Sequence, residues 1–497
     1  MTNILQYLER TAQIFPYKIA FTDGEYGMTF SRLHENARAV GSFLLGRDIS
    51  GPVAVYMERG ADMVSAFFGV LYGGGFYVPV DDEMPAPRVK MIMDGLRPAA
   101  VICSEKTVDR AGELNLSASV YTYGEIARCQ ADEVLLAEAR KNAADSDPAY
   151  VVFTSGSTGA PKGVIASHRA VISYTEGLAD VLRTSEDTVF GSQTPLYVDA
   201  CLKELMLTIK HGASTYFIPK SLFMFPVRLV EYLNRHKINT VCWVSSCLSI
   251  ISGMGALNNH VPETLTTVAF GSELLPRRHF DKWREALPAA SFINLYGPTE
   301  ATGMSCFYEV GELEPDEPIP IGRAFPNTRV ILLDGEKLVT EPDEPGEICV
   351  GGSRLALGYY NDFDKTSRSF IQNPLNKAFP ELIYRTGDLG RYNKRGELVY
   401  VSRADSQIKH MGHRIELMEI EAAACLCQGV AQACCLQDDK NGGIVMFYAG
   451  DSDEGAVTDF LRGTLPRWMV PSKISRLSKL PYTDNMKVDR QKLKTII

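Results

Sequence analysis

Tyr150-Val151-Val152-Phe153-Thr154-Ser155-Gly156-Ser157-Thr158-Gly159-Ala160-Pro161-Lys162-Gly163-Val164 is an apolar, β-branched and aromatic run that breaks into glycines and hydroxyl residues and reaches a lysine. The first part predicts a strand. The loop offers backbone N–H groups without side-chain bulk, and the hydroxyls of Thr154, Ser155, Ser157 and Thr158 add donors. With the charge of Lys162 this set suits a polyphosphate. The plainer alternative is a flexible turn after a strand. The spacing excludes a P-loop, because Pro161 stands where the second Walker glycine belongs and no Ser or Thr follows Lys162.

Outward from this stretch, strand-like runs at Thr240-Val241-Cys242-Trp243-Val244, Thr266-Thr267-Val268-Ala269-Phe270 and Ser291-Phe292-Ile293-Asn294-Leu295 alternate with helical stretches. That alternation predicts an α/β layered fold with largely parallel sheets. From Val330 to Val401 short strands and Gly-containing turns, among them a hairpin across Asn393-Lys394-Arg395-Gly396, predict a small β-rich subdomain. Past Arg403, Leu417, Ile420, Ala424 and Cys427 fall near helical spacing, Ile444–Tyr448 reads as a strand and Ala456–Leu465 as a helix. The expected division is a core over 1–403, its β-rich part at 330–403, and a small C-terminal α+β domain over 404–497.

The net charge of −9 over 497 residues, with no Lys/Arg-rich run, argues against a nucleic-acid partner, so polyanion binding must be local. Met1-Thr2-Asn3-Ile4-Leu5-Gln6 has neither a basic nor an apolar leader region, and no long apolar run occurs elsewhere. The expectation is a soluble cytoplasmic protein with no membrane partner. The 11 cysteines are mostly embedded in apolar runs, as Cys103, Cys242, Cys247 and Cys349 are, which suits reduced core thiols. Cys425, Cys427, Cys434 and Cys435 cluster at poor zinc spacing.

Five further stretches carry polar groups at strand ends and turns: Pro195-Leu196-Tyr197-Val198-Asp199-Ala200; Asn294-Leu295-Tyr296-Gly297-Pro298-Thr299-Glu300; Tyr384-Arg385-Thr386-Gly387-Asp388-Leu389-Gly390; Ser402-Arg403-Ala404-Asp405 through Gly412 to Glu421; and Pro481-Tyr482-Thr483-Asp484-Asn485-Met486-Lys487. Each alone has an ordinary reading, a solvated turn or, for Asp199, a helix cap. Taken in order with the Thr154–Lys162 loop, they resemble the core motifs of the adenylate-forming superfamily. That superfamily includes nonribosomal peptide synthetase adenylation domains, D-alanine-carrier protein ligases, acyl-CoA synthetases and luciferases.

The resemblance implies a large N-terminal domain of layered α/β subdomains, a β-rich subdomain and a mobile C-terminal lid. It implies ATP bound by Thr154, Ser155, Gly156, Ser157, Thr158, Gly159, Lys162, Asn294, Tyr296, Gly297, Thr299, Glu300, Asp388 and Arg403. Within that set Tyr296 stacks on adenine, Asp388 accepts from the ribose hydroxyls and Glu300 holds Mg²⁺. The resemblance makes Lys487, Glu300 and Thr158 the catalytic set and Asp405 the hinge. It also implies that Asp199 pairs with a substrate ammonium, with Ala200, Lys203, Trp243, Val268, Phe270, Leu295, Gly303 and Met304 lining the side-chain pocket. Lys203 in so apolar a lining favours an acidic amino acid, unless it pairs with Asp199 four residues away. Glutamate leads aspartate because Gly303 leaves depth. D-alanine, an acyl or aryl acid going to CoA, and a catalytically silent nucleotide-binding regulator are the alternatives. The resemblance also implies a carrier protein with a phosphopantetheine arm, either separate or cut away from this chain. Departures from the pattern are Ser402, Met418 and Met486, each standing where the family has glycine.

Overall fold

The computed structural model describes residues 1–156, 160–314, 317–403, 407–438, 442–483 and 488–497. It divides into two compact units. The larger comprises Met1–Asp82, Leu96–Val152 and Val164–Ala404, and the smaller Glu83–Gly95, Phe153–Gly163 and Asp405–Ile497. The smaller unit thus takes in residues 83–95 and 153–163, which lie within the expected 1–403 core.

Among its described residues the larger unit is built on three sheets. One has six parallel neighbours, Ile19–Thr22, Ser214–Phe217, Val189–Ser192, Thr240–Val244, Thr267–Gly271 and Ser291–Tyr296, flanked by antiparallel edge strands. The strands are β-branched and aromatic, and buried on both faces. Val241, Val268 and Phe270 pack under helices with Phe280 and Trp283 in one core cluster, as a parallel sheet requires. A second sheet orders Lys162–Ser167, Pro148–Thr154, Phe76–Asp81, Pro52–Met57, Ala100–Cys103 and Ser119–Thr122, with Tyr77 opposite Tyr150. The third is antiparallel and built on Thr328–Asp334, Gly346–Gly352, Leu382–Tyr392 and Leu398–Arg403, the last two joined by the hairpin over 393–397.

Parallel order brings the carboxyl ends of the first sheet's strands to one edge, where open α/β sheets bind ligands. Ser192 leads from that edge to Asp199, and Tyr296 leads to Glu300.

The smaller unit has a hairpin, Gln407–His410 with His413–Glu416, the helix Leu417–Cys425, and a sheet of Val430–Gln437, Ile444–Gly450 and Lys473–Leu477 under the helix Glu454–Thr464. The apolar spacing predicts a helix running to Cys427; it stops at Cys425. The cysteines are free thiols, and only Cys129 and Cys425 are exposed. Among the described residues no helix is long and apolar enough to cross a membrane.

Candidate active site

The Ser291–Tyr296 strand ends in Gly297 and Pro298, and the chain then makes one tight helical turn over Thr299–Ala301 before leaving through Thr302 and Gly303 at φ +53° and +85°. Gly297 is needed at this point, since a Cβ there would lie 2.0 Å from the Gly303 carbonyl oxygen. The reversal buries Glu300 completely. Its carboxylate accepts from the Tyr359 hydroxyl at 2.8 Å, and its backbone carbonyl accepts from Ala356 N–H at 2.9 Å. Tyr359 has no local signal in the sequence that would mark it for this site.

Three residues predicted for the nucleotide meet. Tyr296 Oη donates to Asp388 Oδ2 at 2.5 Å, and Arg403 Nη1 donates to Oδ1 at 2.6 Å. Arg403 also donates to the Thr386 carbonyl, and the Thr386 hydroxyl receives Asp388 N–H. Strand pairing sets this up by placing Asp388 opposite Arg403. Burial and the Asp388 carboxylate push the Tyr296 phenol well up, so it stays a donor. An ionised carboxylate has about four acceptor positions, so two bonds leave room for a diol. Asn294 is committed otherwise, its amide donating to the Pro320 carbonyl at 2.8 Å.

Asp199 opens a short turn ahead of the Leu202–His211 helix. Burial pushes its carboxyl above the ordinary range, while the Lys203 ammonium, the Thr299 hydroxyl and the Ala200 amide act the other way and Glu300 adds to the rise. Asp199 and Lys203 therefore feel each other without forming an ion pair. Lys203 is 4% exposed, and its charge acts on the carboxylates of both Asp199 and Glu204. Next to it, Glu204 has both carboxylate oxygens buried with no hydrogen-bond partner among the described residues, and burial pushes its carboxyl up to about 7.

Of the other residues predicted to line the side-chain pocket, Ala200 is partly exposed. Trp243, Val268, Phe270, Leu295, Gly303 and Met304 are buried. Trp243 donates its indole N–H to the Gly191 carbonyl at 2.7 Å and packs edge-on against Phe223. At Gly303 an added Cβ would meet the Tyr174 ring at 3.1 Å.

In the smaller unit the start of the glycine loop is engaged by other backbone. Ser155 Oγ donates to the Arg414 carbonyl at 2.6 Å and accepts from Glu416 N–H at 3.2 Å, while Gly156 N–H donates to Glu419 at 3.3 Å. Glu419 is paired with Arg88. These bonds tie Arg88, Ser155 and Gly156 to the 414–419 segment. Thr154 keeps a buried hydroxyl without a partner among the described residues, and Lys162 is buried as the first residue of its strand. Ser157, Thr158, Gly159, Asp405 and Lys487 lie outside the described residues.

The AMP-binding enzyme family matches residues 8–360, and the AMP-binding enzyme C-terminal domain matches 419–487. The chain belongs to the AMP-binding enzyme family. It is 29% identical over 499 residues to tyrocidine synthase 2 of Brevibacillus parabrevis, across 99% of this chain and 13% of that protein. The crystal structure of IdnL1 superimposes with a TM-score of 0.81 at 28% identity, over 96% of this chain and 98% of that one. The adenylation domain AlmE of Vibrio cholerae, solved with glycyl-adenosine-5'-phosphate, has the same fold, with a TM-score of 0.85 at 19% identity over 99% and 97% of the two chains. The chain spans less than half the length of the curated relatives it matches, from 6% to 45%. Its fold is that of an adenylate-forming enzyme.

Proposed function

We propose that this enzyme activates an amino acid with ATP, giving aminoacyl-AMP and pyrophosphate, and then passes the aminoacyl group to the phosphopantetheine thiol of a carrier protein. The observation that carries this reading is Asp199, a partly exposed carboxylate in the turn after the Val189–Ser192 strand, close enough to Glu300 to feel its charge. An ammonium there would be paired, and the carboxylate of the same substrate would reach the phosphate side.

Tyr296, Asp388 and Arg403 would hold the nucleoside, the phenol and guanidinium orienting Asp388 toward the ribose diol. The substrate carboxylate attacks the α-phosphorus, the new P–O bond replaces the α,β-bridging one, and pyrophosphate leaves. Lys487 would be the cation beside the oxyanions as charge builds. In the second half-reaction a carrier thiolate attacks the acyl carbon and AMP departs. Glu300 is chemically suited to Mg²⁺, because a metal riding on polyphosphate needs only one or two protein carboxylates. Bound there, Mg²⁺ would supply positive charge against the developing phosphate charge. Among the described residues no cluster of three or more ligating side chains offers a competing site.

For the side chain, the buried ammonium of Lys203 in an otherwise apolar lining supports an acidic amino acid. With Tyr174 filling the space at Gly303, aspartate fits no worse than glutamate. A small neutral substrate such as D-alanine is the second reading, favoured by the carboxylates of Asp199 and Glu204 in the field of Lys203. Pyrophosphate exchange across both enantiomers of the amino acids, together with aryl and fatty acids, tests the proposal. Exchange driven by one amino acid supports it. Exchange only with acids lacking an ammonium would reassign the enzyme to acyl or aryl activation, and none with any acid would point to a silent nucleotide-binding protein.

A further inference from the structure

Arg354 is completely buried between the Gly346–Gly352 and Gly358–Tyr359 strands, yet no carboxylate pairs with it among the described residues. A buried charge without a counter-ion is costly unless its donors are used. Here Nη1 and Nη2 reach two backbone carbonyls from distant segments, while Nε is buried without a hydrogen-bond partner among the described residues. Nη1 donates to Met304 O at 2.8 Å and Nη2 to Ser173 O at 3.2 Å. The guanidinium carbon lies 4.4 Å from the centre of the Phe325 ring and 5.8 Å from that of Tyr174. Burial pulls its pKa down to about 10, which leaves it a cation at neutral pH.

The helix that faces Arg354 is shaped to admit it. Gly177 sits inside the His168–Leu182 helix, a poor place for glycine on propensity alone. A Cβ at Gly177 would fall 2.1 Å from Arg354 Nη2. Three residues earlier on the same helix, Tyr174 lies in the direction a side chain would take from Gly303, and Ser173 Oγ contacts Ser353 Oγ at 2.8 Å. Residues 353–356 therefore bind the helix through Ser353 and Arg354, the 303–304 backbone through Arg354, and the Glu300 carbonyl through Ala356.

We infer that Arg354 is a positioning residue for substrate selection: by bridging Met304 O and Ser173 O, its guanidinium holds the Gly303–Met304 backbone against Tyr174 and so fixes how deep the side-chain pocket runs. This rests on the reading above that Gly303 and Met304 line that pocket. The occupant it selects for is a short side chain, since the space opened by Gly303 is taken by the Tyr174 ring.

The test compares Arg354→Met, Arg354→Lys and Gly177→Ala with the wild type in pyrophosphate exchange, using alanine, 2-aminobutyrate, norvaline and norleucine as a ladder of one methylene per step. Where only acidic amino acids drive exchange, the ladder is aspartate, glutamate and 2-aminoadipate, the last and first then replacing norleucine and alanine. The readout is the ratio of kcat/KM for norleucine to that for alanine, which does not depend on how much of a preparation is folded. A methylene against a fixed wall is worth about 10- to 200-fold in discrimination. The ratio should therefore rise about tenfold or more in Arg354→Met and Gly177→Ala, less in Arg354→Lys, with the KM for ATP within about twofold of wild type. Should Arg354→Met yield no folded enzyme, Gly177→Ala decides alone, because it displaces the guanidinium without deleting it. Ratios equal to wild type, with only total activity reduced, would overturn the inference. If the wild type exchanges only with acids lacking an ammonium, the amino-acid reading falls instead. The same comparison then runs on a ladder of n-alkanoic acids, where an unchanged chain-length profile again refutes the role of Arg354.

Discussion

Replacing Glu204 with glutamine should stabilise the protein at alkaline pH and leave it unchanged in acid. Glu204 is 1% exposed, neither carboxylate oxygen has a partner among the described residues, and the charged groups that face it are Lys203 and Arg59. Burial outweighs both cations and lifts its carboxyl from 4.5 to about 7. A carboxyl whose folded pKa lies above its unfolded one favours the native state while protonated. That contribution is complete below about pH 4.5 and is lost as pH rises through 7. At about 1.4 kcal/mol per pH unit, the full span comes to about 3 kcal/mol. Glutamine keeps the shape and removes the titration. The midpoint of thermal unfolding, followed by calorimetry at pH 5 and pH 8, should therefore be higher for Glu204→Gln than for wild type at pH 8 and nearly equal at pH 5. A variant less stable than wild type at pH 8 would mean that Glu204 is held ionised by Lys203 and Arg59, and the reasoning would fail.

Lys487→Ala should abolish pyrophosphate exchange yet largely spare transfer from preformed aminoacyl-AMP to a carrier thiol; equal loss in both assays would remove Lys487 from a role confined to adenylation. Tyr296→Phe deletes a hydrogen bond to a buried carboxylate, worth about 1.5–3 kcal/mol, so the KM for ATP should rise about tenfold or more with the amino-acid KM unchanged. Because burial raises the Asp199 carboxyl and only its ionised form can pair with an ammonium, kcat/KM for the amino acid should fall as pH drops toward that raised value. An unchanged profile in Asp199→Asn would assign the titration elsewhere.

What the sequence makes legible is what lies contiguous in it. The alternation of apolar runs and helical stretches announces layered parallel sheets, and the order Tyr296-Gly297-Pro298-Thr299-Glu300 announces a sharp reversal at a strand end. Asp388 and Arg403 can be named because each sits in a recognisable stretch, but their contact depends on strand register, which the spacing alone does not reveal. Tyr359 on Glu300 is invisible, since 59 residues separate them and no local pattern marks the tyrosine. The neighbour of Gly303 is hidden for the same reason: the ring that an added Cβ would meet belongs to Tyr174, far off in the chain. The one local trace of Arg354 is Gly177, an isolated glycine within a helical pattern, whose reason lies 177 residues further on. Ser155 shows the remaining limit, since a hydroxyl in a phosphate-like loop says nothing about the backbone of Arg414 and Glu416 that engages it.

The central claim is that a substrate ammonium pairs with Asp199 beside the nucleotide site. It is met most directly by calorimetric titration with two sulfamoyl-adenosine analogues of the adenylate, one carrying the amino acid that best supports exchange and the other its des-amino counterpart. Loss of a buried charge-assisted pair costs about 3–5 kcal/mol. The aminoacyl analogue should bind about a hundredfold or more tightly than the des-amino one in the wild type, and Asp199→Ala should erase that difference. Equal affinities for the two analogues in the wild type would contradict the account.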